Sequence, residues 1–122
     1  MARSDRLSIK RVYDAPSEDD GVRVLVDRIW PRGLAKSCAA VDLWLREIAP
    51  SDALRKWFGH DPARWGEFRV RYEAELADHA DEVSRLRAML GNGPLTLLYG
   101  AKDEAHNNAL ALIEYLRAGG GG

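Results

Sequence analysis

Apolar residues along this chain come in two kinds of run. Two runs are short and nearly continuous: Val-Arg-Val-Leu-Val at residues 22–26 and Leu-Thr-Leu-Leu-Tyr at residues 95–99. Runs of that length, bounded by turn residues, read as strands buried on both faces, as in parallel sheets. Other apolar residues recur at helical spacing. Trp65, Phe68, Tyr72 and Leu76 fall at i, i+3, i+7 and i+11 and form one stripe. Val83, Leu86 and Leu90 make a second stripe, closed by Gly91-Asn92-Gly93-Pro94. Ala105, Ala109, Leu112, Ile113 and Leu116 make a third, with Asp103 as the expected cap of a helix running from Glu104.

The remaining segments are read from their punctuation. Residues 7–13 are a weakly patterned first strand, and residues 14–21 are an acidic loop. Ser51 caps a short helix through Phe58, and Asp61-Pro62 is an N-cap followed by proline at the first helical position. Residues 41–48 are ambiguous. Val41, Trp44, Leu45 and Ile48 fit helical spacing, yet the segment is short and stops at Pro50. Strands separated by helices predict an α/β fold: a three-layer sandwich with a small, mostly parallel central sheet flanked by helices. Residues 1–118 form one domain, followed by a flexible glycine tail at 119–122.

Composition narrows the function classes. With 18 Lys+Arg against 19 Asp+Glu, the net charge is -1 and the signs are mixed throughout. The absence of a basic block argues against duplex nucleic acid as a partner. The single cysteine, Cys38, excludes a disulfide or a cysteine-rich zinc site within one chain and fits a reducing compartment. The polar N-terminus is no secretory signal, and no apolar run approaches the ~20 residues that span a bilayer. The expected location is cytoplasmic, with no membrane partner. Oligomeric state has no signature in the sequence.

Three segments carry a resemblance. Residues 26–33 (Val-Asp-Arg-Ile-Trp-Pro-Arg-Gly), residues 57–62 (Trp-Phe-Gly-His-Asp-Pro) and residues 97–103 (Leu-Leu-Tyr-Gly-Ala-Lys-Asp) together resemble the YeaO-like family, a domain of unknown function in the DUF488 superfamily. The similarity runs from about Ile9 to about Leu116. It implies a Rossmann-like sandwich, and it favours a strand at residues 41–48. It implies no established activity and no known cofactor. In the wider superfamily a cysteine often ends the strand that here ends in Tyr99, and a Cys-His-Arg triplet opens the helix after it. This chain has Tyr99 and Ala105-His106-Asn107 there, so thiol chemistry of that kind is not available to it.

Ligands of open parallel sheets bind beyond the carboxyl ends of the strands. Residues 27–33, 47–51 and 99–107 meet that description. They hold Asp27, Arg28, Trp30, Arg32, Tyr99, Lys102, Asp103, His106 and Asn107, and His60 could approach the same end. The start of the last helix suits an anion, with Lys102, Arg28 and Arg32 adding charge. The plainer alternative is a solvated Lys102 and an Asp27–Arg28 ion pair. His106, expected on the first helical turn, is a candidate base kept neutral by the helix dipole, and Tyr99 is a second proton-transfer candidate. Trp30 could stack on a planar ligand or anchor a turn, and its bond to Pro31 could be cis. No metal motif stands out. Asp19-Asp20 and the pair Glu73 and Glu75 read as solvated charge. Two readings result: a domain that binds or acts on a small anionic, phosphate- or nucleotide-like ligand, or a single-stranded nucleic-acid or protein-interaction module.

Overall fold

The structure is a computed structural model that describes residues 6–119. Four strands form one sheet: β1 (Leu7–Arg11), β2 (Val22–Leu25), β3 (Leu43–Trp44) and β4 (Leu95–Tyr99). Their order is β1-β4-β2-β3, and every pairing is parallel. The helices are α1 (Lys36–Ala39), α2 (Asp52–Phe58), α3 (Trp65–Ala77), α4 (Ala80–Asn92) and α5 (Asn108–Arg117).

The two dense apolar runs are the two central strands. β4 is buried at all five positions, and pairs with β1 on one side and β2 on the other. Alternation sends Leu95, Leu97 and Tyr99 into the main core with Val24 and Val26. The stripe of Phe68, Tyr72 and Leu76 joins that core, with Leu54 and Phe58 of α2, Val83 and Leu86 of α4 and Leu112 of α5. Leu25 and Leu98 point to the opposite face, which is covered by a thinner layer of Trp30, Leu34, Val41 and Trp44. The sandwich is therefore three-layered but unequal.

Residues 41–48 resolve the ambiguity in both directions. Only Leu43–Trp44 is strand, and Arg46–Ile48 is a turn of 3-10 helix. Two ladder positions pair with Val24 and Leu25 before the chain bends. The apolar residues at helical spacing are thus split between the thin layer, which takes Val41 and Trp44, and the main core, which takes Leu45 and Ile48.

Two further readings need correction. Glu75 is not solvated: it is half-buried and accepts the Ser51 N–H at 2.8 Å and the Ser51 hydroxyl at 2.5 Å, tying α3 to the start of α2. Asp20 is buried as well, and accepts from Arg23 at 2.5 Å and Lys10 at 3.0 Å. Gly21, at the entry to β2, has φ +64, and a Cβ there would lie 2.1 Å from the Pro94 carbonyl oxygen, so only glycine fits. The glycine tail lies outside the described residues except for Gly119, whose N–H bonds the Leu116 carbonyl.

Candidate functional site

The central strands β2 and β4 part company at their carboxyl ends. β2 continues to β3 at one edge, while β4 leads to α5, which packs on β1 and β4. Diverging exits of neighbouring parallel strands leave a crevice. A cavity of about 470 Å³ fills it, a size suited to a small ligand. All three expected segments reach it: Asp27 through Arg32 after β2, Ala49 and Pro50 before α2, and Gly100, Ala101, His106 and Asn107 after β4, with Asn108 beside them. The exits are tied to one another. Arg11 donates to the Ala101 carbonyl at 2.9 Å, and the Tyr13 hydroxyl donates to the Arg32 carbonyl at 2.8 Å.

Asp27 is the one acidic side chain lining this cavity among the described residues. Its carboxylate accepts the Gly100 N–H at 2.8 Å and the Asn108 amide at 3.1 Å. Asn108 also donates to the Val26 carbonyl at 2.9 Å, so α5 is pinned to the end of β2. Burial pushes the Asp27 pKa up, and these two hydrogen bonds only partly offset it. Gly100 permits the close approach, because a Cβ there would sit 3.1 Å from the Asp27 carboxylate.

The cationic side is arginine. Arg28 does not pair with Asp27. It donates to the Pro50 and Ala49 carbonyls at 3.2 Å each and lies 4.0 Å from the exposed Asp52. Arg55 lines the cavity from α2 and bonds Asp52 at 3.2 Å. Arg32 is exposed, and its guanidinium has no protein partner among the described residues. Sequence reading missed Arg55, Tyr13 and Asn108. Tyr13 follows the carboxyl end of a parallel strand, so the rule that found Asp27 would have found it. Arg55 had no such signal, because only the packing of α2 against α3 turns it toward the sheet.

His106 lines the cavity but is not on α5. The helix starts at Asn108, with Asn107 as its N-cap: the Asn107 side chain accepts the Leu110 N–H at 2.8 Å and donates to the Asp103 carbonyl at 3.0 Å. The chain offers two capping residues four apart, and the buried Asn107 takes the helix. Asp103 instead closes the turn before it, accepting the N–H groups of Ala105 and His106. Its second oxygen lies 2.9 Å from His106 Nδ1, and the Ala105 N–H and His106 hold its pKa below the ordinary carboxylate value. The His106 ring meets the edge of Trp65 at 5.5 Å between centroids. Two constraints thus orient it, and Nε2 is the nitrogen not engaged by Asp103. The expected placement on the first helical turn is corrected: His106 precedes the N-cap.

Of the other expected residues, His60 and Asn107 line the cavity, His60 with a left-handed backbone at φ 58. Tyr99 does not. Strand alternation buries its ring in the main core, where burial raises its pKa. Lys102 is exposed and Asp103 lies behind His106, so neither lines the cavity. Trp30 lines it but is committed to the thin layer: its indole N–H bonds the Leu34 carbonyl at 2.7 Å and its ring packs edge-on to Trp44 at 5.4 Å. The Trp30–Pro31 bond is trans. His60, Asp61, Asp103 and His106 do not converge into a group of three or more metal-ligating side chains. No helix among the described residues is long and apolar enough to cross a membrane.

Comparison with known proteins covers nearly the same span. Uncharacterized protein YeaO of Escherichia coli (strain K12) is 47% identical over 112 residues, which are 92% of this chain and 97% of that one. Uncharacterized proteins Mb3100c of Mycobacterium bovis and Rv3073c of Mycobacterium tuberculosis are each 40% identical over 116 residues, 95% of this chain and 98% of theirs. No solved structure matches significantly. The likeness to YeaO is near full length on both sides, and the family described as the inactive DUF488-N3 subclade matches residues 6–119, so the chain belongs to that family.

Proposed function

We propose that the cavity binds a small anionic ligand, without turnover, in a cytoplasmic protein. The observation that carries this reading is the lining: Arg28, Arg32 and Arg55 against one carboxylate, Asp27, with the Arg32 guanidinium free of a protein partner among the described residues. An unpaired guanidinium at the mouth of a cleft supplies forked donors for phosphate or carboxylate. The N-terminal end of α5 borders the same space and adds a favourable dipole. When His106 is protonated both ring nitrogens donate, one to Asp103 and the other to a bound anion. The family's description as inactive and the burial of Tyr99 favour recognition over catalysis.

The test is thermal unfolding with and without inorganic phosphate at fixed ionic strength. A site-specific ligand at a hundredfold excess over its dissociation constant stabilises by about 2.7 kcal/mol. The phosphate shift should shrink in Arg32→Ala and Arg55→Ala. It should persist in Lys102→Ala and in Arg85→Ala, both at exposed positions outside the cavity. Equal shifts in all four variants would mean general exclusion of phosphate from the surface rather than a site.

A further inference from the structure

The cavity is far larger than an inorganic anion needs, and most of its wall is not charged. Pro31, Pro50, Phe58 and Phe68 line it together with the arginines. Phe58 and Phe68 stack on each other at 4.4 Å between centroids and, both buried, close the inner wall with apolar surface. The mouth is apolar as well. Four large hydrophobic residues of the described chain are exposed: Tyr13, Val22, Ile29 and Val70. Two of them, Tyr13 at 43% and Ile29 at 59% exposure, line this one cavity. Isolated exposed side chains are ordinary, but two converging on a cleft leave apolar surface that a ligand can cover.

Tyr13 is held in place there. Its hydroxyl bonds the Arg32 carbonyl at 2.8 Å and the Arg11 guanidinium lies 5.1 Å from its ring centroid. Asp27 sets the direction of any ligand, since an anion placed against it meets like charge. The anionic group therefore belongs at Arg32 and Arg55, with the rest of the ligand along the apolar wall.

We propose that the ligand is an amphipathic anion: a phosphate or carboxylate at Arg32 and Arg55, carried on a planar apolar body that covers Ile29 and Tyr13 and lies along Phe58. The inference rests on the anion-binding reading and adds the body to the charge.

Calorimetric titration of the whole chain tests it with five probes: inorganic phosphate, phenyl phosphate, benzoate, benzyl alcohol and a short oligothymidylate. Phenyl phosphate should bind at least about tenfold more tightly than inorganic phosphate, the gain expected from burying part of a ring. Benzyl alcohol should not bind. The ratio of benzoate to phenyl phosphate tells a carboxylate from a phosphate headgroup. Ile29→Ser, at an exposed position, should cut the phenyl phosphate gain by about threefold and leave inorganic phosphate unchanged, with Ile29→Val restoring it. If phosphate binds through Arg32 but phenyl phosphate binds no better, this inference is overturned while the anion site stands. If no anion binds, both fall. If oligothymidylate binds more tightly than phenyl phosphate and Ile29→Ser weakens it, the occupant is a nucleic-acid strand, and the small-ligand inference is wrong.

Discussion

Asp27 is the residue where structure and chemistry pull against each other. Its carboxylate is shielded from water at the end of β2, and its pKa stands above the ordinary 3.8. Folding therefore favours the protonated form. The stability tied to this group is complete below the ordinary carboxylate value and is lost as pH rises through the raised one. Urea unfolding at several values between about pH 3 and pH 7 should show this as a decline present in the parent and absent in Asp27→Asn. Identical pH profiles in the two proteins would contradict the burial argument. Asp27 was found from its place just after a buried strand. Its partner Asn108 was not, because that contact depends on where α5 begins.

At the scale of elements, caps decide where helices start. The expected start at Ser51 agrees with the structure, where Ser51 accepts the Leu54 N–H at 3.1 Å, whereas Asp61 caps a turn of 3-10 helix at Pro62–Arg64 that leads into α3, accepting the Ala63 N–H at 3.0 Å. Ser51 carries more than its own cap, since Glu75 of α3 bonds both its N–H and its hydroxyl. Asp61→Ala should lower stability by about 1 kcal/mol, the ordinary worth of a cap. Ser51→Ala should cost more, because a half-buried Glu75 then loses a partner. Denaturant midpoints rank the two variants, and the reverse order would refute the coupling of α2 to α3. The last helix shows the limit of such reading. Asp103 and Asn107 are both good caps, and local sequence does not choose between them. Packing chooses: Asn107 and Ala109 are buried while Ala105 is exposed.

The whole molecule is a parallel sheet with a heavy helical side and a thin side, and a buried ion cluster holds the thin side together. Asp20 joins Arg23 and Lys10, and Arg23 also donates to the Ala40 carbonyl at 2.8 Å. Burial pushes the Asp20 pKa up, but the Ser17 N–H, Lys10 and Arg23 outweigh it, and the pKa is lowered. The sign is opposite to that at Asp27. The stability this group adds is present above the ordinary carboxylate value and is lost as pH falls through the lowered one. Asp20→Ala leaves Arg23, only 4% exposed, without its carboxylate, and should cost about 3–5 kcal/mol. Equilibrium unfolding checks this, and a loss below about 1 kcal/mol, the level of an exposed pair, would show the cluster to be solvated.

Local pattern along the chain is enough to give the set of elements and the end of the sheet where the exit loops gather. Nearly continuous apolar runs of five residues bounded by turn residues suit strands covered on both faces, and stripes at helical spacing need a core to face. Parallel strands then put every exit loop at one end, so Asp27, Arg28, Arg32, His60, His106 and Asn107 are legible as neighbours from the sequence alone. Tertiary structure decided the rest. Strand order placed β2 beside β4 with diverging exits, which no local pattern encodes. Alternation within β4 buried Tyr99, the α5 boundary moved His106 off the helix, and packing of α2 brought in Arg55. Which way a side chain points depends on register and on helix phase, and both follow from burying the largest apolar area, a property of the whole chain.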